Sequence, residues 1–277
     1  QTGVNPYKFG LIGSTDSHTG LATGDEDNFF GKHTGNEPAY KDRAMQPQNL
    51  GTRQGRFGWH YLAGGYAAVW AKANTRGAIF DAMAKREVYA TTGPRMVVRI
   101  FGGWDFTDAD WKTNWVKAGY ARGVPMGGDL KGGKGAPKFL ISALKDPMGA
   151  NLDRVQMVKG WVDASGKMQE KVFDVVWSDP AKRKITGGKL APVGDTIDLK
   201  TASYKNTIGA PELRTVWSDP EFNPKTRAFY YLRVMEIPTP RWPVYDAVRY
   251  GAKLPKDAKL KDQERAYTSP IWYTPRG

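Results

Sequence analysis

The chain has 277 residues, a length that fits one large domain or two of ordinary size. Its composition, 40% hydrophobic and 25% charged, excludes disorder over most of the chain, and the absence of cysteine excludes disulfides and thiol nucleophiles. The net charge of +13 favours an anionic partner, but the basic residues are dispersed, so no nucleic-acid partner is expected. No apolar run approaches the ~20 residues of a membrane span, and none is expected.

The first third of the chain predicts a small α/β unit. The apolar run over residues 7–13 predicts a buried strand, and residues 67–73 predict a short helix. Thr75 is a plausible N-cap for a helix that ends near Arg86, and residues 87–92 predict a strand. Between these elements, residues 19–60 are rich in Gly, Asn and Asp, and loops of that length tend to carry function.

Strand signals dominate after Gly93 and Pro94. Short segments rich in β-branched and aromatic residues, separated by turn sequences, predict an antiparallel sandwich. The segments are residues 96–100, 138–143, 155–158, 171–176 and 228–234. We therefore predict two domains, an α/β piece at residues 1–93 and a β-rich domain at residues 94–277.

A short Asp-x-His motif follows the first predicted strand. In an extended strand end, residues two apart point to the same side, so Asp16 and His18 are candidate ligands of one divalent metal. The alternative is that Asp16 caps a turn and that His18 is a hydrogen-bonded surface group.

Several longer segments carry a family resemblance. The sequence GSTDSH at residues 13–18 resembles the last metal-binding motif of the PHP superfamily, the polymerase and histidinol phosphatase type hydrolases. Residues 25–32, 86–95, 236–242 and 263–273 are similar to the PHP-related family catalogued as domain of unknown function 3604. The resemblance covers nearly the whole chain.

This resemblance implies a fold class of α/β plus all-β, namely the last part of a distorted PHP-like β/α barrel followed by an antiparallel β-sandwich-like domain. It implies that Asp16 and His18 bind one to three divalent ions (Zn, Mn or Fe), completed by residues outside this chain, because the His-x-His motif of the superfamily is absent. Association with an N-terminal portion of the same protein and a periplasmic or secreted location are expected on the same ground.

The function that the resemblance implies is metal-dependent hydrolysis of a phosphoester by metal-activated water, with an anionic small-molecule substrate. Lys32 and His33, just past the metal motif, are candidate catalytic residues. Arg95, Trp59 and His60 are candidate substrate-binding residues. For each of them an ordinary structural role is the alternative.

Two further alternatives stay open. Residues 25–27 are three adjacent acids, which either bind a further cation or form a hydrated loop. The chain also contains ten Trp, thirteen Tyr and eleven Phe, a density typical of a β-rich core or of a carbohydrate-binding face. A noncatalytic β-rich module that recognises a glycan or a protein partner is therefore the second functional hypothesis.

Overall fold

The computed structural model describes residues 5–18, 20–21, 23–33, 37, 40–50, 53–254 and 256–276. No helix in these ranges is long and apolar enough to cross a membrane. The α-helices in them are α1 (Arg76–Ala84), α2 (Trp115–Arg122) and α3 (Trp242–Tyr250). Single turns of 3-10 helix lie at Glu26–Asn28, Gly58–His60 and Asp108–Lys112.

Antiparallel β-structure makes up most of the fold. The strands are β1 (Pro47–Leu50), β2 (Arg53–Phe57), β3 (Tyr66–Val69), β4 (Val88–Thr91), β5 (Val97–Gly103), β6 (Gly123–Pro125), β7 (Asp129–Lys131), β8 (Lys138–Leu144), β9 (Leu152–Val162), β10 (Met168–Trp177), β11 (Ile185–Thr186), β12 (Lys189–Leu190), β13 (Glu212–Ser218), β14 (Ala228–Glu236), β15 (Thr239–Pro240), β16 (Lys261–Asp262), β17 (Arg265–Thr268) and β18 (Ile271–Thr274).

Two larger sheets organise these strands. One has eight strands in the order β10-β9-β14-β17-β4-β3, with β18 beside β14 and β7 beside β18. The other has the order β13-β8-β5-β6. Among the described pairs of strands only β18 and β7 run parallel. The eight-stranded sheet takes strands from both sides of the predicted domain boundary at residue 93, and the division into two domains stays a prediction.

The two sheets share one apolar core. Every second residue of β14 is buried, from Ala228 through Tyr230 and Leu232 to Val234, as the period of a half-buried strand requires. These side chains belong to the same cluster as residues of β5 and β8 in the other sheet, among them Ile100 and Ile141. The core therefore lies between the two sheets, and the buried face of β14 contributes to it.

The predicted β/α barrel is wrong. A barrel of that class alternates parallel strands with helices, whereas the described residues form mostly antiparallel sheets with three short helices and close no barrel. Residues 7–13 form no strand, and Tyr7 and Phe9 are 72% and 56% exposed. Residues 67–69 belong to strand β3 instead of a helix, because they pair with β4 in the register Ala67↔Ala90.

Several local predictions are confirmed. Helix α1 begins directly after Thr75, whose Oγ1 accepts a hydrogen bond from the Ala78 N–H at 3.3 Å, as an N-cap does. Strand β4 occupies the segment predicted at residues 87–92. The strands predicted after residue 94 correspond to β5, β8, β9, β10 and β14. The last four contain their predicted segments in full, and β5 begins at Val97, one residue after the predicted start.

A buried ion pair links Asp246 of helix α3 to Arg43 in the first third of the chain. The Arg43 guanidinium donates to both carboxylate oxygens of Asp246, at 2.6 and 3.0 Å. It also donates to the carbonyl oxygens of Phe29 and Phe30, at 2.6 and 2.8 Å. Its carbon Cζ lies 4.8 Å from the ring centroid of Trp242. Since both partners are only 2% exposed, neither charge has water as a substitute partner.

Asp246→Ala is expected to lower the free energy of unfolding by about 3–5 kcal/mol, because it leaves the buried Arg43 charge unpaired. The exposed Asp257 provides a matched control. Asp257→Ala is expected to change the free energy of unfolding by less than about 0.5 kcal/mol. Urea denaturation followed by circular dichroism measures both. Equal effects of the two substitutions would contradict this account of the ion pair.

Candidate functional site: an acidic cavity

Two glutamates face each other where strands β14 and β17 meet. The register Met235↔Arg265 continues by one residue, and the Glu236 N–H donates to the Glu264 carbonyl oxygen at 2.9 Å. Directly opposed residues of an antiparallel pair project to the same face, with Cβ atoms about 5 Å apart. Strand pairing therefore places the two carboxyl groups side by side.

Glu236 occupies a core position. It continues the buried alternation of Leu232 and Val234 along β14, and it is 1% exposed. Its Oε1 atom is buried and has no hydrogen-bond partner. A polar atom in this state costs free energy unless a ligand or a proton satisfies it.

The two glutamates line a cavity of about 290 Å³. Acidic side chains dominate its wall, although the chain as a whole carries a net charge of +13. The ionisable residues that line it are Asp25, Glu26, Asp27, Asp146, Glu236 and Glu264, together with Arg95, Tyr204 and Tyr245. The cavity is therefore an acidic site in a basic protein.

Burial and mutual repulsion shift the pKa values in this cavity. Burial raises the pKa of Glu236 well above its ordinary value, and the negative charges of Glu264 and Asp146 raise it further. Burial raises the pKa of Glu264 to about 7, against the opposing effect of the hydrogen bond that its Oε2 accepts from the Thr92 hydroxyl. Glu264 is consequently partly protonated at neutral pH.

Glu26 has a structural role at the wall of the cavity. Its Oε1 accepts a hydrogen bond from the Ala63 N–H at 3.1 Å, and its Oε2 accepts one from the Trp242 N–H at 2.6 Å. The Arg241 Nε atom lies 3.9 Å from the same oxygen. Because both oxygens are engaged, Glu26 connects the acidic turn at residues 25–27 to the start of α3. That turn, left open between a cation site and a hydrated loop, lines the cavity.

Arg95 is the predicted substrate-binding residue that lies at this cavity. Its backbone N–H donates to Asp146 Oδ2 at 2.6 Å, while the Met148 N–H donates to Asp146 Oδ1 at 2.9 Å. The Arg95 guanidinium is 5.6 Å from the ring centroid of Tyr66. Asp146 therefore fixes the backbone here, and the exposed Arg95 side chain is the cationic group among the lining residues.

The predicted metal site is not formed. Asp16 has a φ of 51°, so the extended geometry that would direct Asp16 and His18 to the same side is interrupted. No group of three or more His, Asp or Glu side chains in the described ranges is arranged to hold a metal ion. The expectation of one to three Zn, Mn or Fe ions is therefore wrong for this part of the chain.

The two predicted catalytic residues lie outside the cavity. Lys32 is buried, its ammonium donates to the Thr15 and Ala63 carbonyl oxygens, and burial lowers its pKa. His33 Nε2 lies 3.2 Å from the Tyr61 hydroxyl. These contacts order the chain next to the Asp-x-His motif, and a catalytic role of either residue stays untested.

Trp59 and His60 also lie apart from the cavity. Their rings stack with centroids 3.7 Å apart. Trp59 packs against the small apolar cluster that contains Phe29 and Trp242, and His60 Nδ1 accepts a hydrogen bond from the Phe57 N–H at 3.0 Å. Of the three predicted substrate-binding residues, the structure brings Arg95 alone to the acidic cavity.

The sequence analysis missed Glu236 and Glu264, although a signal was present. The alternation along residues 228–236 puts Glu236 on the same face as four residues that are otherwise suited to a core. An acidic residue at such a position marks an anomaly that calls for a functional explanation. Both glutamates also lie inside segments that carry the family resemblance, residues 236–242 and 263–273.

Comparisons with known proteins place the chain in a family. No curated protein and no solved structure shows significant similarity to it. The family described as "Protein of unknown function (DUF3604)" matches residues 1–275. Because this match spans almost the entire chain, the protein belongs to the DUF3604 family.

Proposed function

We propose that this chain is a hydrolase whose acidic cavity is the active site, with Glu264 as general acid–base and Glu236 as its neighbouring carboxyl group. The observation that carries the proposal is the opposed pair of carboxyl side chains at the β14–β17 junction, open to a cavity of about 290 Å³. Acid–base catalysis needs a proton carrier within reach of a bound substrate, and this pair supplies one.

The pair of glutamates destabilises the fold, and this destabilisation supports a functional role for the pair. Like charges at directly opposed strand positions destabilise a sheet, and a buried carboxyl oxygen without a partner adds a further penalty. Apolar side chains at residues 236 and 264 would extend the core without either cost. Perturbed carboxyl groups gathered in a cleft are typical of sites where proton transfer takes place.

The proposed step uses one water molecule and one proton. Ionised Glu264 accepts a proton from the water as the water oxygen forms a bond to the scissile centre. Glu264 then returns that proton to the leaving group as the bond between the scissile centre and the leaving group breaks. A pKa of about 7 for Glu264 leaves both of its forms populated at neutral pH, as this alternation requires. Burial raises the pKa of Glu236 well above its ordinary value, and the negative charges of Glu264 and Asp146 raise it too.

The acidic wall favours neutral or cationic substrates. A phosphate or sulfate ester would bring further negative charge next to Asp146, Glu236 and Glu264, with Arg95 as the only cationic lining residue in the described ranges. The proposal therefore retains hydrolysis but replaces the anionic phosphoester that the resemblance implies. A relation to the PHP superfamily and export to the periplasm remain proposals that rest on the resemblance alone.

A noncatalytic glycan-binding role is the second candidate, and a separate cavity favours it. This cavity, about 300 Å³ in volume, lies at the end of β9 and the start of β14. Trp161 provides aromatic surface there, and Asp163 and Asn223 provide polar groups. Aromatic rings flanked by hydrogen-bonding groups are suited to a polyhydroxylated ligand.

Glu264→Gln is expected to reduce kcat by about 100-fold or more, because the amide cannot accept the proton from water. A panel of chromogenic esters, amides and glycosides, each in a neutral and an amine-bearing form, identifies the substrate and measures kcat across pH. The kcat of the wild-type protein is expected to rise with pH, and the midpoint of this rise is expected near pH 7, the pKa of Glu264. Glu212→Gln, at an exposed position of β13, is the control with unchanged kcat. A folded wild-type protein that turns over no member of the panel, or an E264Q protein with unchanged kcat, contradicts the proposal.

The stability of the protein is expected to fall as the pH rises from 4.5 to about 7. In this window the unfolded chain has lost the Glu264 proton while the folded protein still binds it, so raising the pH favours unfolding. Glu264→Gln is expected to make this decrease in the free energy of unfolding smaller by on the order of 3 kcal/mol. Urea denaturation at pH 5 and pH 8 measures the difference, with Glu212→Gln as the control. Parallel pH profiles for the wild-type and E264Q proteins would refute the raised pKa.

A further inference from the structure

We propose that the ligand of the acidic cavity carries a positively charged alkylammonium group, for which the Glu236 carboxylate is the counter-ion. This inference rests on the proposed function in taking the cavity as the substrate site, and it assigns the substrate to the class of small amines.

The charge of the cavity wall is the first argument. Asp25, Asp27, Asp146, Glu236 and Glu264 approach one another in a chain whose remaining surface is strongly basic. Each of these carboxyl groups raises the free energy of ionising its neighbours. A cation inside the cavity relieves that repulsion, whereas a neutral or anionic ligand of the same size does not. The local charge therefore selects for a cation.

The Glu236 Oε1 atom is the second and independent argument. It is buried in a residue that is 1% exposed, and it has no hydrogen-bond partner. It is directed towards Gly149, a lining residue, where a Cβ atom would lie only 3.3 Å from it. Because residue 149 is glycine, no side chain of that residue lies against this oxygen. An ammonium N–H supplies the charge-assisted hydrogen bond that this oxygen lacks.

The remaining donors suit an organic cation better than a metal ion. Glu26 and Asp146 each use both carboxylate oxygens to accept hydrogen bonds from backbone N–H groups. No triad of ligating side chains is therefore arranged among the described residues. Tyr204 and Tyr245 also line the cavity and provide aromatic surface against which an alkylammonium group can pack.

Cation binding is coupled to proton release at Glu236. Besides burial, Glu264 and Asp146 raise the pKa of this carboxyl, whereas Lys145 and a hydrogen bond from the Ala150 backbone lower it. Burial raises the pKa of Tyr204 to about 12, and the negative charge of Glu236 adds to that rise. An ammonium group stabilises the ionised form of Glu236, so the proton leaves as the ligand enters. The affinity for the cation consequently rises with pH.

The test compares three molecules with the same four-carbon length. 1,4-Diaminobutane, 1,4-butanediol and succinate are cationic, neutral and anionic, respectively, and isothermal titration calorimetry measures their binding to the full chain. Only the diamine is expected to bind, with a Kd that decreases from pH 5.5 to pH 8. Glu236→Gln is expected to weaken diamine binding by at least about tenfold, and Glu212→Gln, at the exposed strand position, is expected to leave the Kd unchanged.

The outcomes separate this inference from the proposed hydrolase. Equal binding of the diol and the diamine, no binding of the diamine, or an unchanged Kd in the E236Q protein overturns the inference. Diamine binding without turnover of any panel substrate overturns the hydrolase alone, and turnover of neutral substrates without diamine binding overturns the cationic ligand alone. If the E236Q protein does not fold, Glu264→Gln replaces it, and an unchanged Kd there overturns the inference in the same way.

Discussion

The backbone hydrogen bond between Glu236 and Glu264 is the contact on which the acidic cavity depends. It is an ordinary step in the pairing of β14 with β17, yet it forces two acidic side chains onto the buried face of the sheet. The cavity, its elevated pKa values and the buried Glu236 oxygen without a hydrogen-bond partner all result from that one register. A shift of β17 by a single residue relative to β14 would turn the Glu264 side chain away from Glu236 and abolish the site.

Local chemistry explains why much of the strand structure was predictable. Thr75 marks the start of α1 through its side-chain cap, and the alternation in residues 228–234 marks β14, because both signals act within a few residues. The failures have a different origin. Residues 67–69 contain helix-compatible alanines, but their pairing with β4 outweighs that preference. The apolar segment at residues 7–13 forms no strand, and its Tyr7, Phe9 and Ile12 side chains stay exposed.

The candidate site was harder to predict, because its members are far apart in the chain. The sequence shows residues 25–27 as a local acidic run and offers Arg95 as a candidate substrate-binding residue. Their meeting with Glu236 and Glu264 depends on the order of strands in the sheet, which periodicity cannot supply. The Asp-x-His motif illustrates the opposite case. Its spacing suggested convergence of two ligands, but the left-handed backbone at Asp16 breaks the geometry that the spacing assumes.

The residues that line the cavity lie far apart in the sequence, and this separation has a thermodynamic consequence. Its residues come from the acidic turn near residue 25, the β8–β9 turn near Asp146, the end of β14 and the residue that precedes β17. Such a surface exists only when all of these segments are in their native positions. A bound ligand therefore behaves as a noncovalent cross-link between distant parts of the sequence, and by mass action its binding free energy is added to the stability of the entire fold.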